Sequence, residues 1–163
     1  MIFLSCDRIS QKGKGIVDNA KATASRKADD LEDKIFAKFD SGTPDTRFNK
    51  MRFTEFFKFE PAPDVENLYC YADLMGIDSK FQFSFTCDTP TLNRIIEVEK
   101  LSKVQNEDSY TFESILNPTE FSWWSNNQIE DCVPFFRKDE NRVYTYLWYD
   151  TLTRKAHYLT YDL

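Results

Sequence analysis

The chain has 163 residues, 41% of them hydrophobic and 16% aromatic, with only four glycines and six prolines. That is enough for one domain with a buried core, and it excludes global disorder and low-complexity architecture. The formal net charge of −6 argues against nucleic-acid binding, which needs a basic face, and no apolar run approaches the ~20 residues of a membrane-spanning helix.

Met1-Ile2-Phe3-Leu4-Ser5-Cys6 is a short apolar run, a small residue and a cysteine, followed abruptly by polar Asp7-Arg8. The pattern resembles the end of a bacterial lipoprotein signal peptide, in which the cysteine is lipidated and becomes the mature N-terminus. Cys6 is the expected lipid site, and the lipid the only membrane contact. The expected location is the bacterial envelope, facing the periplasm or the exterior; the alternative is a cytoplasmic chain starting at Met1. Residues 1–17 read as this signal remnant plus a polar, glycine-containing tether, and residues 18–163 as a single domain.

From Asp18 to about Phe39, Ala24, Ala28, Leu31, Ile35 and Phe39 recur at helical spacing. The alanine half buries little and should stand clear as an N-terminal helical arm, while Leu31 to Phe39 should dock. Gly42 and Pro44 end this helix. A second helix is expected over Thr46–Phe57, and Pro61 and Pro63 then enforce an extended link. Asn67–Leu74 and Phe81–Cys87 read as a hairpin. In the latter, Phe81, Phe83 and Phe85 alternate with Gln82, Ser84 and Thr86, the period of a half-buried strand. Asp88 or Thr89 caps a third helix with Pro90 in its first turn and Leu92, Ile95, Ile96 and Leu101 as its apolar stripe. Residues 102–117 are mostly polar, and Phe121-Ser122-Trp123-Trp124 reads as a brief strand or a packed loop. Val133–Arg137, Arg142–Asp150 and Lys155–Asp162 form a three-stranded meander. The expected fold is therefore α+β: an antiparallel sheet, built from the hairpin and the C-terminal meander, with helices on one face.

No nucleophile elbow, phosphate loop or dinucleotide fingerprint is present. Cys6, Cys70, Cys87 and Cys132 lack metal-site spacing, and His157 is the only histidine. Without Cys6, the cysteines read as three buried thiols or as one disulfide and one thiol. His157, alternating with Leu159 and Tyr161, reads as a satisfied structural histidine rather than a catalytic one. Asp29, Asp30, Glu32 and Asp33 sit beside Lys27 and Lys34 and read as a solvated face. No cofactor or metal is implied, and the chain reads as non-enzymatic.

Residues 41–163 carry thirteen basic and twenty acidic side chains, a balance that favours a basic protein partner. Tyr144, Tyr146 and Trp148 share one face of the central meander strand. Trp123, Trp124, Tyr146 and Trp148 are the candidate binding patch if that face is exposed, and core if it is covered.

Pro44-Asp45-Thr46-Arg47-Phe48-Asn49-Lys50, Asp64 to Tyr71, Gly76-Ile77-Asp78, Phe85-Thr86-Cys87-Asp88 and Trp148-Tyr149-Asp150 resemble small bacterial envelope lipoproteins of unassigned function, over about residues 35–163. The resemblance carries no catalytic motif and suggests, at most, an immunity partner of a secreted toxin. The expected function is thus envelope-anchored binding, with toxin neutralisation as one form of it; a carrier of small apolar ligands in an aromatic-lined cavity and a carboxylate-dependent hydrolase are the alternatives.

Overall fold

The computed structural model describes residues 39–73, 79–104, 121–124, 126–140 and 142–162. The lipid site Cys6, the tether and the helical arm lie outside the described residues, as do the hairpin connection and most of the polar stretch 102–117. Among the described residues the class is α+β. Helices α1 (Arg47–Phe57), α2 (Thr89–Glu99) and the short α3 (Asn126–Glu130) accompany strands β1 (Glu66–Asp73), β2 (Lys80–Thr86), β3 (Ser102–Lys103), β4 (Phe135–Lys138), β5 (Val143–Asp150) and β6 (Lys155–Asp162).

The strands form one antiparallel sheet in the order β1-β2-β6-β5-β4-β3. The hairpin and the meander are joined by β6, the last strand, which pairs with β2 from Lys80↔Tyr161 to Thr86↔Lys155. β6 therefore lies in the middle of the sheet. Ala156, His157, Tyr158, Leu159 and Thr160 are consecutively buried, as expected for a strand covered on both faces.

α1 starts at Thr46, whose hydroxyl accepts from Asn49 N–H at 3.2 Å, satisfying a free donor of the first turn. It ends at Lys58 in the left-handed conformation (φ 63°). α2 is capped differently from the expected Asp88 or Thr89 side-chain cap. Asp88 occupies the cap position but turns its carboxylate to Arg154, 2.6 Å away. Asp64 instead accepts from Asp88 N–H (2.8 Å) and the Thr91 hydroxyl (3.0 Å). The helix stops at Glu99, so Leu101 lies beyond it; the left-handed Lys100 (φ 53°) folds Leu101 back into the core.

On one sheet face α1 and α2 bury Phe53, Phe57, Leu92 and Ile95 against Phe83, Phe85, Leu147 and Tyr158. The rings meet edge to face: Phe53 lies 4.6 Å from Phe57 and 5.4 Å from Phe85, and Phe57 lies 5.0 Å from Tyr158. This geometry sets ring edges against ring faces. Phe39, the end of the expected docking stripe, packs on Phe81 at 5.7 Å.

The motif around Asn49 is a structural knot. The Asn49 amide donates to Asp40 O, Thr43 O and Leu68 O at 2.9–3.0 Å, and its oxygen accepts from Asp40 N–H and the Cys70 thiol. Asp45, with φ 59°, accepts from the Asn67 and Leu68 N–H groups. Together these bonds tie the start of α1 to β1.

Candidate functional site

The four aromatics that the sequence offers as a binding patch if exposed and as core if covered are interior. Trp123, Trp124, Tyr146 and Trp148 are 5%, 2%, 2% and 0% exposed. The reason is the cover on the second sheet face. Phe121–Trp124 closes into a turn with a single bridge, and α3 adds Ile129 to the cluster. Trp123 stacks between Phe121 (4.6 Å) and Tyr69 (5.4 Å), and its indole N–H donates to Ser41 O at 2.8 Å. Tyr146 stacks on Trp148 at 5.3 Å. The binding-patch reading of these residues is corrected: they cement a cover onto the sheet.

The same cover corrects the reading of β2 as half-buried. Gln82 and Ser84, expected to face solvent, are 0% and 1% exposed. His157 is also interior but is not the satisfied histidine expected: neither ring nitrogen has a hydrogen-bond partner. The Trp124 ring meets it edge to face, with centroids 5.2 Å apart. Burial, with Lys155 adding to it and Asp150 opposing, pushes the imidazole down to about 3, so His157 is neutral near pH 7.

The thiols are free at Cys70, Cys87 and Cys132, which corrects the disulfide alternative. Burial raises Cys70 and Cys87 to about 12, the wrong direction for nucleophiles. Cys132 is less buried and also raised, by desolvation and then by Asp150 and Asp131. Glu99 is a partly buried carboxylate raised by desolvation. It accepts from the Tyr158 hydroxyl at 3.2 Å and lies 3.6 Å from Arg137, a tie between α2 and the sheet. Among the described residues no group of three His, Cys, Asp or Glu side chains could hold a metal.

One open surface feature is a groove of about 820 Å3 at the end of the sheet where β5 turns into β6. α2 contributes Thr89, Leu92 and Asn93, β3 contributes Lys103, and the segment after α3 contributes Asp131, Cys132 and Val133. The turn supplies Asp150, Thr151 and Leu152. Leu152 is 93% exposed and Val133 51%, the two most exposed large hydrophobics among the described residues. The turn is firmly built: Asp150 accepts from Leu152 N–H at 2.8 Å and from the Thr153 hydroxyl at 2.6 Å. Tyr149 anchors the floor by donating to Cys87 O at 2.9 Å. The groove thus has apolar walls, a rigid turn presenting one leucine, and two carboxylates at its rim. Sequence reasoning missed it; the one available signal was a leucine among the polar residues of the turn 151–154.

No protein-family model matches this chain, and no curated protein or solved structure matches it either.

Proposed function

We propose that this chain is a non-enzymatic binding protein of the bacterial envelope, held there through a lipid on Cys6, and that it grips a basic protein partner in the groove beside Leu152. The observation that carries this reading is the juxtaposition of Leu152 and Val133, exposed at the rim, with Asp131 and Asp150. A rigid turn that holds a leucine in solvent gains nothing for folding, whereas an apolar anchor ringed by polar groups is the anatomy of an interface. The acidic balance of residues 41–163 steers a basic partner toward it. The matching segment on the partner carries an apolar side chain beside a lysine or arginine. Neutralisation of a toxin is one form such binding takes.

The test uses the full chain with a photo-crosslinking residue at Leu152 and, as a control, at the exposed Glu140. One basic protein joined at Leu152, and lost in a Leu152→Asp/Val133→Asp variant that melts at the wild-type temperature, supports the reading. Unchanged binding by the double variant, or no adduct at Leu152, overturns it. Mass spectrometry of the native chain tests the anchor separately: a diacylglyceryl group on Cys6 supports it, and an unmodified Cys6 in a chain beginning at Met1 overturns it.

A further inference from the structure

The groove beside Leu152 carries charge of both signs, and the sheet register separates them. Lys103 lines it from β3, while Asp131 and Asp150 line it from the segment after α3 and from the β5–β6 turn. Lys103 and Asp131 are exposed, and among the described residues neither forms an ion pair. Asp150 and Asp131 both act on the Cys132 thiol, so the two carboxylates make one negative end.

The spacing follows from the strand pairing. Lys103 lies opposite Phe135 on β4, and Phe135 lies opposite Leu147 on β5. Asp150 comes at the end of β5, beyond Leu147. Two strand spacings across and the step from Leu147 to Asp150 along β5 put the backbones of Lys103 and Asp150 about 14 Å apart. An extended chain covers that distance in about four residues. Side chains at positions i, i+2 and i+4 of such a chain point to the same side, so the two ends and the centre of the segment can all face the groove. The centre meets an apolar floor of Leu92, Phe135 and Tyr149, with Val133 and Leu152 at the rim.

We propose that the groove reads an extended partner segment in the order acidic, any, apolar, any, basic, its acidic side chain on Lys103 and its basic one on Asp131 and Asp150. This rests on the binding reading of the groove given above and specifies the segment that enters it. A basic partner presenting two cations at this spacing would set one of them against Lys103, which like-charge repulsion disfavours.

Nuclear magnetic resonance titration of the full chain with two blocked peptides tests it: acetyl-Glu-Ala-Leu-Ala-Arg-amide and acetyl-Arg-Ala-Leu-Ala-Arg-amide. The mixed peptide should shift the Leu152 and Val133 methyl signals and bind about fivefold more tightly than the dibasic one. A Lys103→Glu variant should reverse that order. A dibasic peptide that binds the wild-type chain equally or better overturns this inference while leaving a basic partner in the groove. An order unchanged by Lys103→Glu also overturns it. So does a mixed peptide that leaves the Leu152 and Val133 signals unmoved, whereas the crosslink at Leu152 decides the binding reading by itself.

Discussion

Trp124 and His157 meet edge to face, with ring centroids 5.2 Å apart and planes at 85°, so the only imidazole of the chain is sealed against an indole. Burial, with Lys155 contributing, drives its pKa down from 6.5 to about 3, and Asp150 opposes only in part.

Acid should therefore destabilise the fold in a defined window. Below about pH 6.5 the unfolded chain takes up a proton at His157 that the folded chain refuses, so stability falls as pH falls toward 3. Between about pH 7.5 and pH 5 the loss from this residue is about 2 kcal/mol. Urea denaturation at the two pH values measures it. A His157→Phe variant that retains the full wild-type pH dependence would refute this assignment.

Trp148 and Leu152, four residues apart, should respond in opposite ways. Trp148→Ala empties the centre of the covered face and should cost about 3–5 kcal/mol. Leu152→Asp should change stability by less than about 0.5 kcal/mol while removing partner binding. Equilibrium unfolding of both variants separates them; a large stability loss at Leu152 would place that side chain in the core instead.

Asn49 should be irreplaceable. Asn49→Ala removes the side-chain donor shared by the Asp40, Thr43 and Leu68 carbonyls, of which Leu68 O keeps the Asp45 N–H, and should cost about 3 kcal/mol. Asn49→Asp should be worse, because it points a second acceptor at three acceptors. Chemical denaturation ranks the pair, and an aspartate variant as stable as wild type would contradict the hydrogen-bond scheme.

The thiols should label in order of exposure. Cys70 and Cys87, buried and raised to about 12, should resist iodoacetamide in the folded protein and react on unfolding. Cys132, at the groove, should react first among these three. Peptide mapping after brief alkylation reads the order, and early modification of Cys70 would show that α1 opens from the sheet.

Much of the architecture was legible in the sequence. The spacing of Phe53 and Phe57, the alternation through Phe81–Phe85 and the runs Arg142–Asp150 and Lys155–Asp162 each report a local period, and a local period selects helix or strand. The α+β class and the meander follow from that alone. The pairing of β6 with β2 did not, because residues 80–86 and 155–161 are distant in sequence and no turn joins them.

The same limit explains the site. Alternation states which side of a strand a residue occupies; it does not state what covers that side. Gln82 and Ser84 are polar and lie opposite three phenylalanines, so by pattern they belong in water. Phe121–Trp124 and α3 cover them, and that cover makes Trp123, Trp124, Tyr146 and Trp148 core. Leu152, apolar by composition, is left in solvent because Asp150 locks its turn outward. Residue type and period determined the elements; which surfaces remain wet was decided by long-range packing, since burial belongs to the contact between two elements and to neither alone.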